Sequence, residues 1–158
     1  MVTLGIDAST ITVGYAFTKD KKILDMGFVD ISREKTVQEK AYLVMDLFDD
    51  ELVKQTTKII VEDSLSGFMG GRTSQQVIIK LAKFNAVFCF IVENALNIPL
   101  INVNPLTARK RVFGQARIKG IKSKDFVKMK VEKMFDTSKW IKHTSRQNFD
   151  KRNIDMYD

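Results

Sequence analysis

The sequence predicts a single α/β domain built on a mixed sheet, and three observations predict it. The first third is a succession of β-rich runs joined by tight polar turns. The middle alternates short apolar runs with stretches of helical period. Finally, 158 residues, 44% of them hydrophobic and 28% charged, make one domain's worth of ordinary globular chain. The element order β-β-β-α-β-α-β-α predicts a mixed five-stranded sheet, three antiparallel strands and then two parallel ones, flanked by helices.

Each element has its own signature. From Val2 to about Thr18 the chain is rich in Val, Ile, Thr and Gly, which reads as two strands joined near Ala8-Ser9-Thr10. Lys19-Asp20-Lys21-Lys22 is a polar turn, and Ile23 to about Val29 completes the meander. Between Val37 and Lys54 the apolar residues Ala41, Val44, Met45, Phe48 and Leu52 make one stripe of a helix. Thr57 to Glu62 is an apolar strand covered on both faces that ends in acids.

The loop from Ser64 to Thr73 carries Gly67, Gly70 and Gly71. After it comes a long helix from about Ser74 to Leu96, with Val77, Ile78, Leu81, Phe84, Phe88, Ile91 and Ala95 on its buried side. Pro99 to Val103 reads as a strand, and Asn104-Pro105 as the start of a helix. A basic, Gly-punctuated stretch (Arg109 to Lys124) leads into a helix from about Lys124 to Phe135. Asp136 to Asn153 is polar and patternless and reads as a loop.

Composition narrows the function classes. No run approaches the ~18 uninterrupted apolar residues of a membrane span. The N-terminus lacks the basic-then-apolar pattern of a secretory signal. The single cysteine, Cys89, sits among Val87, Phe88, Phe90 and Ile91; it reads as a buried structural thiol in a reducing cytoplasm. The net charge of +7 is unevenly placed: residues 1–104 sum to −2 and residues 105–152 to +11. A strongly basic third on a globular chain is what phosphate binding requires, although a solubilising Lys-rich face has the same composition.

Asp7 ends the first strand, Glu62 ends the fourth, and Asp155 and Asp158 lie together near the end of the chain. Carboxylates at the ends of neighbouring strands converge on a small volume, where like charges repel. Divalent cations remove that cost, and an oxygen-only donor set suits Mg²⁺ or Mn²⁺. Asp155 and Asp158, three residues apart, would share one face of a helix. Taken one at a time, these acids have plainer roles. Asp7 suits a turn, Glu62 the polar exit of a strand, and Asp155 and Asp158 a helix N-terminus.

Together the acids carry a resemblance. Leu4-Gly5-Ile6-Asp7-Ala8-Ser9-Thr10-Ile11-Thr12-Val13-Gly14-Tyr15-Ala16 resembles the opening motif of RuvC, the bacterial Holliday-junction resolvase family. Ile60-Val61-Glu62-Asp63 is similar to its second acidic motif, and Asp155-Met156-Tyr157-Asp158 to its closing acidic pair. Motif order and separations agree across essentially the whole chain. The abundant Lys, Ile, Asn and Phe look most like small phage-encoded members from low-GC Gram-positive hosts.

The resemblance implies a ribonuclease H-like fold over residues 1–158, with a closing helix missing or cut short. It also implies an Mg²⁺- or Mn²⁺-dependent endonuclease that works on branched DNA as a homodimer in the cytoplasm, with no membrane partner. Asp7, Glu62, Asp155 and Asp158 would be its metal-binding catalytic carboxylates. Lys124 falls where the family keeps a basic residue near the scissile phosphate. Arg109 or Lys110 falls near a second basic position. Arg72, Arg111, Arg117, Lys119 and Lys122 complete the expected DNA-binding set.

Phe68 is the candidate for stacking at the junction centre; it is displaced from the family's position, and a place on the core is its plainer role. His143, in the polar stretch, reads as a surface residue. The alternative function is a module that binds branched DNA without cutting it. An actin-like ATPase, which the Gly-Ile-Asp run also resembles, needs a second lobe and a second Gly-rich motif that this chain lacks.

Overall fold

The computed structural model describes residues 1–63 and 75–157. Five strands form one sheet in the order β3-β2-β1-β4-β5. They are β1 (Val2–Ala8), β2 (Thr12–Lys19), β3 (Lys22–Asp30), β4 (Thr56–Glu62) and β5 (Leu100–Val103). The pairs β1–β2 and β2–β3 are antiparallel, and β1–β4 and β4–β5 are parallel. This is the expected mixed sheet.

Strict alternation in β1 decides what covers each face. Val2, Leu4, Ile6 and Ala8 are buried on one side, while Gly5 and Asp7 point to the other. On the first side lie α1 (Val37–Met45) and α3 (Gln75–Leu96), which close a core around Phe17, Ile59, Val61, Phe84 and Phe88. Over the other side lie α4 (Pro105–Phe113), α5 (Ser123–Met134) and a 3₁₀ turn, Lys151–Met156. A second core forms there from Met26, Phe126, Val127, Met156 and Tyr157. The candidate site lies on this second face, to which Asp7 points.

Three expectations need correction. The helix expected over Val37–Lys54 is two helices, α1 and α2 (Asp50–Gln55). The chain tightens to i−3 hydrogen bonds at Leu47 and Phe48, and Asp49 starts α2 by accepting from the backbone N–H groups of Glu51 and Leu52. The break turns Phe48 into the core, edge-on to Phe17 with ring centres 5.4 Å apart.

In α3 the buried stripe is Phe84, Asn85, Phe88, Cys89 and Val92, whereas Val77 is half exposed and Ala95 exposed. By length and composition the helix could cross a membrane, although Lys80, Lys83 and Glu93 interrupt its apolar run. It nevertheless lays its buried stripe on the sheet.

The third correction concerns 136–153. This stretch contains the 3₁₀ turn Ser138–Trp140 and a bridge between His143 and Phe149, and then packs on the sheet. Asn153 is fully buried; its amide donates to the Lys142 carbonyl at 2.6 Å and accepts the Lys142 N–H at 2.8 Å. The Arg152 guanidinium donates from Nε and Nη2 to both carboxylate oxygens of Asp150 and, at 2.6 Å, from Nη1 to Asp30 at the end of β3. Side-chain hydrogen bonds from Arg152 hold the Asp150 carboxyl below its ordinary value. Asp30 is lowered too, chiefly by Ser32 and further by Arg152.

Carboxyls depressed on folding contribute stability that is complete above their unfolded value of 3.8 and is lost as pH falls through the depressed folded values. Arg152→Ala is therefore expected to cost about 1–2 kcal/mol at neutral pH. That is near the low end for a charge-assisted hydrogen bond, because the guanidinium is half exposed. Thermal unfolding across a pH series checks this: the difference between variant and wild type should shrink on acidification below pH 3.8. A difference that holds constant into acid refutes the clamp.

Candidate functional site

Ile6 pairs with Val61 in the parallel β1–β4 ladder, so the next residues, Asp7 and Glu62, end adjacent strands. Both are half buried. The β1–β2 turn that follows Asp7 is tied by Ser9, whose hydroxyl donates to the Thr12 carbonyl at 2.7 Å and accepts the Thr12 N–H at 3.1 Å. At the end of β4 the Asp63 N–H reaches the Val103 carbonyl at 3.0 Å. The strand ends are thus anchored by backbone contacts on both sides.

Asp155 reaches the same place from the far end of the chain. Gly14 on β2, the partner of Asp7, lets it do so. A Cβ at Gly14 would overlap the Asp155 carbonyl, so only glycine allows the Lys151–Met156 turn to lie directly on β2. Asp7, Glu62 and Asp155 then open on one cleft of ≈ 240 Å³, which Arg109, Val112 and Phe113 close from the α4 side.

Asp155 sits on a 3₁₀ turn, where the sequence suggested an α-helix. The ammonium of Lys124, in the first turn of α5, donates to its Oδ1 at 2.6 Å. Arg109 hydrogen-bonds the Ser123 hydroxyl, so the start of α5 is tied to α4. Tyr157 braces the turn from below: its buried hydroxyl lies 3.1 Å from the Thr137 Oγ1 and donates to Glu132 at 3.0 Å.

Among the described residues, no three His, Cys, Asp or Glu side chains lie close enough together to hold a metal ion. Asp155 is paired with Lys124. The donor chemistry is nonetheless one-sided, because every candidate ligand lining the cleft is a carboxylate. The chain's one histidine, His143, is exposed elsewhere. The thiol of Cys89, its one cysteine, lies on the buried face of α3, where burial pushes its pKa up to about 11. Oxygen-only chemistry of this kind fits Mg²⁺ or Mn²⁺ and disfavours softer metals.

Of the basic residues expected to meet DNA, Arg109 lines the cleft and Lys124 touches its edge. Lys110, Arg111, Arg117, Lys119 and Lys122 are exposed on α4 and the segment joining it to α5. Phe68, Arg72 and Asp158 lie outside the described residues. Of two residues that the site depends on, the sequence marks Gly14 only within the opening motif and Arg152 not at all. The first had a signal, a lone glycine inside a strand pattern. The second was one more arginine in a basic stretch.

No family model matches the chain, and no curated protein matches it. Solved structures do. Thermus thermophilus RuvC is 13% identical and aligns over 99% of this chain and 92% of its own, with a TM-score of 0.58. A T. thermophilus RuvC in complex with Holliday junction substrate is 12% identical over 99% of this chain and 88% of its own, with a TM-score of 0.61. The chain has the RuvC fold. Its mixed sheet, with three antiparallel strands and then two parallel ones, is the ribonuclease H-like arrangement that the sequence predicted.

Within the RuvC fold the seat of the last turn on β2 is testable by size alone. Gly14→Val should destabilise the protein by about 1–3 kcal/mol, as overpacking does. Gly5→Ala, on the same face of β1, meets only the Ala16 carbonyl oxygen at an ordinary 3.8 Å and should be tolerated. Chemical denaturation of the two variants decides; equal effects would remove the special role of Gly14.

Proposed function

We propose that this protein is a divalent-metal-dependent endonuclease that binds branched DNA and hydrolyses its phosphodiester backbone. One observation carries the reading: Asp7, Glu62 and Asp155, from three separate elements, open on one cleft flanked by the basic α4 and α5. Asp7, Glu62 and Asp155, with Asp158 three residues beyond Asp155 in sequence, are the residues that would hold Mg²⁺ or Mn²⁺. Such an ion supplies activation of a water and stabilisation of the leaving oxygen.

The chain's own residues do the rest. Lys124 and Arg109 bind phosphate oxygens and offset charge as it builds. Val112 and Phe113 give the cleft an apolar wall that limits water. The exposed Lys110, Arg111, Arg117, Lys119 and Lys122 hold the neighbouring backbone without reading its sequence. A junction presents two equivalent strands, so the working form is a two-fold dimer that brings one cleft to each.

A second reading is that the chain binds branched DNA without cutting it. The Lys124–Asp155 pair favours it, because an internal cation already neutralises one candidate ligand. Incubation with synthetic four-way and three-way junctions in Mg²⁺, Mn²⁺ or EDTA separates the two. The nuclease cuts in metal and not in EDTA, and Asp7→Asn lowers cutting by at least about 100-fold, more than loss of a supporting group would. Binding by Asp7→Asn should match or exceed wild type, since a carboxylate facing phosphate is removed. Lys124→Ala should reduce cutting by about 10²–10³. Tight binding with no cut in any metal establishes the binding module.

A further inference from the structure

Residues 1–104 are net acidic, yet the fold gathers four of their lysines along one groove. Lys35 precedes α1, Lys40 lies within it, and Lys80 and Lys83 are successive turns of α3. The groove runs between these helices on the face of the sheet opposite the carboxylate cleft and encloses ≈ 950 Å³. Among the described residues, Glu34 is the one acid on its wall.

The groove is built around a fixed cation. The half-buried ammonium of Lys40 donates to the Thr10 carbonyl at 2.6 Å and lies 5.8 Å from the centre of the Phe84 ring. Lys35, Lys80 and Lys83 are exposed around it, and among the described residues none of their ammonium groups meets a carboxylate. Three exposed cations around one anchored cation is a surface matched to a run of phosphates.

We infer that this groove is a second track for a nucleic-acid backbone, and that it holds an arm of branched DNA other than the one lying on α4 and α5. Position supports that choice of ligand. Thr10 and Ile11, at the mouth of the groove, belong to the turn that follows Asp7. The groove and the cleft therefore share one end of β1 but open on opposite faces of the sheet. A straight duplex cannot follow both surfaces away from that end, whereas two arms of a junction can. The inference rests on the branched-DNA reading above and adds where the second arm goes.

The test compares wild type with the triple variant Lys35→Gln/Lys80→Gln/Lys83→Gln, leaving Lys40 in place. Affinity for a four-way junction and for a linear duplex is measured between 50 and 200 mM salt, roughly the range over which counterion release is resolved. On the junction, the slope of log affinity against log salt should fall in magnitude by about 2–3, one step per lost phosphate contact. On linear duplex it should change little, and the matching Lys→Arg variant should restore the junction slope.

An unchanged junction slope overturns the track and leaves the nuclease reading standing. An equal loss on linear duplex overturns the assignment to a second arm. A variant that changes sedimentation but not the salt slope makes the groove a protein-association face and overturns the inference. Wild type with no preference for junction over duplex overturns the branched-DNA reading and the track together.

Discussion

The site depends on one close contact, the backbone of Asp155 against the bare face of β2 at Gly14. Because glycine has no Cβ, the Lys151–Met156 turn sits on the strand and brings a third carboxylate to the cleft lined by Asp7, the cross-strand partner of Gly14. The same approach lowers Met156 and Tyr157 into the second core. Arg152 then ties the turn sideways to Asp30 at the end of β3. Packing, ion pairing and the cleft thus depend on one missing methyl group.

That dependence explains which parts of the fold were legible in the sequence. β1 could be read because its alternation is strict: Val2, Leu4, Ile6 and Ala8 go one way, Asp7 the other. The strand-end acids could be read because strand ends are where parallel neighbours converge. Residues 136–153 could not, since what orders them is distant in sequence and mostly polar. The Lys142 ammonium, for example, donates to the Phe28 carbonyl 114 residues away. Hydrophobic period carries no trace of such bonds. The break at Phe48 was hidden for the opposite reason: Phe48 and Leu52 continue an apolar stripe, and only Asp49 as a cap divides it.

Charge follows the same division. The +11 of residues 105–152 is visible in the chain because it is contiguous, and most of it, +8, lands on α4, α5 and their connection. The lysine groove is invisible there because its members come from two helices separated by β4, within a segment that sums to −2. Net charge over a segment reports average composition; a phosphate responds to what lies within about a Debye length, about 8–10 Å at moderate salt. Topology, rather than composition, decides which cations a ligand meets together.

The Lys124–Asp155 pair shows how the cleft can hold both signs of charge. Lys124 is half exposed on a long flexible stem, and exposed pairs of this kind contribute only about 0–1 kcal/mol. Releasing Asp155 therefore costs little, and an arriving phosphate offers the ammonium an alternative partner. A buried arginine in the same place would hold the carboxylate too firmly for exchange. On the proposed function, the lysine would neutralise Asp155 before DNA arrives and turn to the phosphate afterwards, so the pair that favours simple binding is equally compatible with a cutting site. Its weakness is what leaves Asp155 available.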